Sequence, residues 1–115
     1  MYLAVLIIPV PETNLEAYKV WAKNSEAIFK RYGCLDIMDA WQDFVPRGRQ
    51  TDFYKAVDAQ EGEKVVVSIQ VWPDKATMFA SEQKMHEDNA LDVEGEIPFD
   101  ASRLITGCFE SLSNL

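Results

Sequence analysis

The sequence predicts an α+β domain: one four-stranded antiparallel sheet with two helices on one face, in the order βαββαβ. Three observations carry this expectation. Residues 2–10 and 64–72 are runs rich in Val, Ile and Leu that end at prolines. Residues 15–32 repeat apolar side chains at three- and four-residue spacing. The 115 residues, 48% of them hydrophobic with five Gly and five Pro, suit a single domain over residues 1–115 that buries a core of its own.

The first strand, Tyr2 to Val10, is apolar on both faces. Leu3, Val5 and Ile7 lie on one, and Tyr2, Ala4, Leu6 and Ile8 on the other. Such a strand needs cover on both sides. Its apolar run is too short to span a bilayer as a helix, and it lacks a basic leader and a small-residue cleavage site. It therefore reads as a strand and not an export signal, and the expected compartment is the cytoplasm.

A helix follows Pro11. Thr13 or Asn14 is expected to cap it, with Glu12 and Glu16 near the positive end of its dipole. Leu15, Tyr18, Ala22, Ser25, Phe29 and Tyr32 form its inward stripe, widened by Trp21 and Ile28. Lys19, Lys23, Glu26 and Lys30 fall largely outside that stripe, and Gly33 supplies the stop.

Cys34 to Phe44 reads as the second strand. Leu35, Ile37, Asp39, Trp41 and Asp43 share one face, and neither face is cleanly apolar. The connection from Val45 to Glu63 is long for a compact domain, with room for a short helix or an extra strand between Thr51 and Val57. Lys64 to Trp72 is the third strand. Val65, Val67, Ile69 and Val71 make one face, and Val66, Ser68, Gln70 and Trp72 the other. Pro73 suits the first turn of a second helix that runs to Asp88. The apolar content of that helix is Ala76, Phe79 and Ala80, with Met78 and Met85. An acidic loop from Asp88 to Pro98 leads to the last strand, Arg103 to Leu112.

This order is the split-βαβ, ferredoxin-like topology. Its helices cover one sheet face, yet the first and third strands are apolar on the other face too. A monomer would leave that patch in water. A second copy packed sheet to sheet covers it, so the sequence predicts a homodimer.

The formal charge is −8, from 11 Lys and Arg against 19 Asp and Glu. A surface this negative repels phosphate backbones and anionic lipid, which argues against nucleic-acid and membrane partners. The chain has no GxGxxG, P-loop, HExxH or GxSxG motif and no metal-spaced His/Cys cluster, so no cofactor and no metal are expected. Cys34 and Cys108, two isolated cysteines, make no disulfide framework, CxxC motif or zinc site, and are expected to be buried thiols.

The candidates for chemistry are therefore few. His86, the only histidine, falls in register with Ala76, Phe79 and Gln83. It either faces a pocket as a base or axial ligand, or closes the end of its helix beside Glu82. Trp41, Ser68, Gln70 and Trp72 interleave aromatic and polar groups on strand faces. They can line a small-molecule pocket or form core and dimer interface. Asp39 and Asp43 stand about 13 Å apart on a regular strand, too far to act as a tight dyad. Arg47, Arg49 and Lys55 cluster in the long connection, where an anion site or a solvated loop would both fit. The acidic stretch from Glu82 to Asp100 does not follow a calcium-loop pattern and reads as solvated.

Three stretches together resemble a known family. They are Met1-Tyr2 with Ile8-Pro-Val-Pro11 and Leu15-Glu-Ala-Tyr18, then Asp52-Phe53 through Trp72-Pro73, then Pro98-Phe-Asp-Ala-Ser-Arg-Leu-Ile-Thr-Gly-Cys-Phe-Glu110. The chain resembles the YbaA-like family of small bacterial proteins, a domain of unknown function, over essentially its whole length. Cys108 stands where the family pattern usually has a second Gly. The resemblance implies a dimeric α+β barrel, two ferredoxin-like subunits with their sheets face to face, and implies no catalytic residues. The wider barrel superfamily includes monooxygenases, haem-degrading enzymes and lactone isomerases. Trp72 and His86 resemble the Trp and His of its haem-degrading members, but the first strand lacks the Asn they also use.

Overall fold

In the computed structural model, residues 1–91 and 96–113 are described. The four strands are β1 (Tyr2–Pro11), β2 (Asp36–Trp41), β3 (Glu63–Trp72) and β4 (Ile105–Glu110). They form one antiparallel sheet in the order β2-β3-β1-β4. The two apolar strands are thus the central pair, and the less apolar β2 and β4 take the edges, where half of each backbone meets solvent.

The helices are α1 (Leu15–Arg31), α2 (Phe53–Ala56) and α3 (Lys75–Glu87). The short α2 lies in the 45–63 connection, where the sequence leaves room for a short helix or an extra strand, so the described residues hold one α-helix beyond the two of the βαββαβ order. Asp52 caps α2, its carboxylate accepting from the Lys55 amide at 2.8 Å. Tyr54 then pins the segment: its hydroxyl donates to the Val45 carbonyl at 2.8 Å and accepts from Gln42 Nε2 at 3.1 Å. Gln42 Oε1 in turn accepts from the Val65 amide. Buried Val57 anchors the segment further.

Two expected caps differ. The chain enters α1 through a 3-10 turn, Glu12–Asn14, and neither Thr13 nor Asn14 caps it with a side chain. Asn14 Nδ2 donates instead to the Pro98 carbonyl at 3.0 Å. At α3 the cap is Asp74, which accepts from the Thr77 amide at 2.7 Å, so Pro73 lies before the helix and not in its first turn. Gly33 does supply the turn after α1, at φ 110°.

The inward face of α3 also differs. Met78, Ser81 and Met85 are buried, whereas Ala76, Phe79 and Ala80 are exposed. The physical reason is Ser81, whose hydroxyl donates to the Tyr32 carbonyl at 2.6 Å and so takes an inward position that hydropathy assigns to an apolar residue. The half-turn rotation carries His86 outward with Phe79.

Ladder register sorts the side chains. Tyr2 pairs with Trp72, Ala4 with Gln70, Leu6 with Ser68 and Ile8 with Val66. These face the helices and contribute Tyr2, Ala4, Ile8, Val66 and Trp72 to the core. Leu3, Val5, Ile7, Val67, Ile69 and Val71 point the other way, joined by Met38, which is 59% exposed, and Phe109, 56% exposed. No described helix lies on that face, and the molecule measures 37 × 37 × 20 Å, about two layers thick.

The cysteines part company. Cys34 is buried and donates to the Asp36 carbonyl at 3.1 Å. Cys108 is exposed, contrary to expectation, because it sits on edge strand β4. Both thiols are free.

Candidate functional site

Between α1 and the sheet lies a cavity of about 400 Å³. Its apolar wall includes Leu6, Ile8, Trp21, Ile28, Phe29 and Ile37; its polar groups are Ser25, Asp39, Ser68 and Gln70. Strand alternation explains the set. Asp39 pairs with Ser68 and Ile37 with Gln70, so all four point to the helix side from neighbouring strands.

Ser68 and Gln70 are 6% and 7% exposed. Trp72 fixes the Gln70 amide: its indole N–H donates to Gln70 Oε1 at 3.0 Å. An indole nitrogen can only donate, so the amide oxygen faces Trp72 and Nε2 is the end left over. Among the described residues, neither Gln70 Nε2 nor Ser68 Oγ has a hydrogen-bond partner, and both residues line the cavity. No buried side-chain polar atom among the described residues lacks a partner, so these two donors open onto the cavity and are not sealed in apolar packing.

Asp39 stands at one end. The Tyr18 hydroxyl donates to its Oδ1 at 2.8 Å, and Glu26 lines an outer cleft beside it. Burial first, then the Asp39 charge, holds the Tyr18 phenol protonated far above its ordinary range. Burial, then Asp39, likewise raises the proton affinity of Glu26. Asp39 also borders a second, outer cleft of about 450 Å³, shared with Tyr18, Lys19, Lys23, Glu26 and Trp41.

The expected site residues thus separate. Ser68 and Gln70 line the inner cavity, Trp41 lines the outer cleft, and Trp72 is core that orients Gln70. His86 is exposed and borders a different hollow with Phe29, Glu82, Met85 and Leu91. Tyr18, Glu26 and Asp39 are the residues that sequence reasoning missed as a group. The available signal was on α1, where Tyr18, Ala22 and Glu26 follow one another at four-residue steps and so share a stripe.

The remaining candidates are spent locally. Arg47 stacks over Tyr54 at 4.1 Å, and Lys55 Nζ donates to the carbonyls of Gly48 and Arg49. Asp88 accepts from the Tyr32 hydroxyl at 2.8 Å and pairs with Lys84, while positions 92–95 of the acidic stretch lie outside the described residues. Among the described residues, no three His, Cys, Asp or Glu side chains converge as a metal site would require. No described helix is long and apolar enough to cross a membrane.

The pattern of a family described as "Protein of unknown function (DUF1428)" matches residues 1–101. The chain belongs to the DUF1428 family. This DUF1428 chain is 39% identical over 112 residues to "Uncharacterized protein YbaA" of Escherichia coli strain K12, covering 96% of each chain. It matches "Uncharacterized protein YbaA" of Shigella flexneri at the same identity and coverage. Among solved structures, a de novo designed protein, Foldit4, is similar over 96% of this chain and 97% of its own at a TM-score of 0.43 and 16% identity.

The Pro98–Glu110 stretch of this DUF1428 protein works as a clasp. Phe99 packs edge-on against Trp21 with ring centres 5.0 Å apart, and Arg103 reaches Glu63, Asp100 and the Asp58 carbonyl. It braces the cavity wall from outside and contributes none of the polar groups within.

Proposed function

We propose that this protein is a homodimer that binds a small, mostly apolar organic molecule in the cavity between α1 and the sheet of each subunit. The observation that carries the reading is the pair of donors, Ser68 Oγ and Gln70 Nε2, on nearly buried residues that line a cavity with apolar and aromatic walls. Ligand sites have this composition: an apolar lining with a few placed polar groups. At roughly 30 Å³ per heavy atom, the volume of liquid water, the space suits about a dozen non-hydrogen atoms.

The strand order and the long helices on one face support a ferredoxin-like subunit. The continuous apolar face centred on Val5, Val67 and Ile69 supports a second copy as its cover, giving a dimeric α+β barrel. Two free thiols suit the reducing cytoplasm.

Two measurements test this reading. Sedimentation at micromolar concentration is expected to give twice 13.1 kDa, and Ile69→Lys to return the monomer mass; a wild-type monomer overturns the dimer. A screen of neutral ketones, alcohols and amides by thermal shift and NMR is expected to find binders that perturb Trp21 and weaken in Gln70→Leu. Binders that map elsewhere, or none at millimolar concentration, overturn the ligand site.

A further inference from the structure

The cavity pairs its two free donors with a carboxylate. Asp39 and Ser68 are direct partners across the β2–β3 ladder and point to the same side. Opposed side chains start about 5 Å apart, and diagonal ones such as Asp39 and Gln70 about 7–8 Å. A molecule of the size the cavity holds can therefore touch the carboxylate with one atom and both donors with another. Tyr18 occupies one of the four lone-pair positions of Asp39, and Glu26 is its neighbour in the outer cleft. Positions remain on Asp39 for a third partner.

We propose that Asp39 is a general base for an enolisable neutral ketone bound in this cavity, its carbonyl oxygen on Ser68 and Gln70, with Tyr18 and Glu26 as positioning residues. The inference rests on the cavity being a ligand site, and it names the substrate class. The Asp39 carboxylate takes a proton from the carbon next to the carbonyl. The C–H electron pair becomes the new C=C bond, and the carbonyl π pair moves onto oxygen. The enolate oxygen then accepts hydrogen bonds from the Ser68 hydroxyl and the Gln70 amide. Protonated Asp39 returns the proton to the same carbon, or to the far end of a conjugated enolate, which yields an isomer. Proton number and electron count balance, and the step needs no oxidant, reductant or metal.

Glu26 fits the positioning role. In its protonated form, which burial and then Asp39 favour, it can donate to the Asp39 carboxylate. With Tyr18 it holds that carboxylate in one orientation.

The test is α-proton exchange of 4-phenylbutan-2-one in D2O, followed by NMR on the full-length protein. Wild type is expected to exchange faster than buffer. Asp39→Asn is expected to lose at least about 100-fold while still binding the probe, and Ser68→Ala about 10-fold. Tyr18→Phe and Glu26→Gln are expected to move the pH profile of exchange, which a purely structural role would leave in place. His86→Ala is expected to match wild type. If Asp39→Asn does not fold, Asp39→Glu replaces it, with partial activity expected. A probe that binds but exchanges at the buffer rate overturns the general base and leaves the ligand site standing. A probe that does not bind overturns the ketone class, and undiminished exchange in Asp39→Asn overturns the assignment to this residue.

Discussion

Arg103 meets Glu63 end-on, with Nη1 2.7 Å from Oε1 and Nη2 2.6 Å from Oε2, across the gap between β4 and the start of β3. The two side chains are 19% and 7% exposed, so the pair is mostly shielded from water. Arg103 also holds Asp100 through Nε at 3.0 Å. Removing one member of such a pair leaves the other charge without its partner. Arg103→Met is expected to cost about 2 kcal/mol, lowering Tm by several degrees in a chain of this size. Arg103→Lys keeps the charge, loses the two-pronged contact and is expected to fall between. Urea and thermal unfolding of the three proteins check the order.

The same clasp sets acid sensitivity. The Arg103 hydrogen bonds hold Glu63 below the usual carboxylate range. The Ser102 hydroxyl, then Arg103, pulls Asp100 down to about 2. A depressed carboxylate gives stability that is present above its unfolded pKa and lost as pH falls through the folded one. The clasp is therefore expected to weaken from about pH 4 down toward pH 2. Over that window the stability gap between wild type and Arg103→Met is expected to narrow, as measured by urea unfolding at stepped pH.

Glu26 has the opposite sign. Its carboxyl is raised by burial and by Asp39, so the folded state binds a proton more tightly than the unfolded chain. Its contribution is full below the ordinary carboxylate range and is lost as pH rises through the raised value. Glu26→Gln removes the ionisation. It is expected to melt higher than wild type at pH 7, with the difference shrinking as pH falls toward 4.

The thiols are expected to react in two phases. Cys108 is exposed on an edge strand, while Cys34 is buried, and that burial raises its pKa. Native protein with excess aromatic disulfide reagent at pH 8 is expected to titrate one thiol per chain quickly and the second only on unfolding. Cys108→Ser is expected to abolish the fast phase, and Cys34→Ser to preserve it.

Much of the framework is legible in the residues themselves. The two-sided runs at Tyr2–Val10 and Lys64–Trp72 do become the central strands, and the Leu15–Tyr32 stripe does become α1. Legibility fails where a polar group turns inward to reach one particular partner. Ser81 turns in for the Tyr32 carbonyl and rotates α3 away from the hydropathy pattern. Tyr18 and Asp39 lie 21 positions apart and meet because β2 sits beside β3 under α1. Ser68 and Gln70 are visible as polar residues on a strand, but which end of the Gln70 amide is free depends on where Trp72 points its N–H.

The sheet order β2-β3-β1-β4 also determines how this chain must fold. No two of its strands are joined by a tight turn. Even the nearest ladder partners, Trp41 and Val66, are separated by the whole α2 connection, and β1 waits for β3 and β4 from far along the chain. Loop closure is spent before any ladder bond forms. The nascent chain has α1 and α3 as its long local elements, and the sheet condenses late, on a timescale of roughly milliseconds to seconds and not microseconds. Until it does, the apolar central strands have unpaired edges exposed, and this interval is when aggregation competes most strongly with folding.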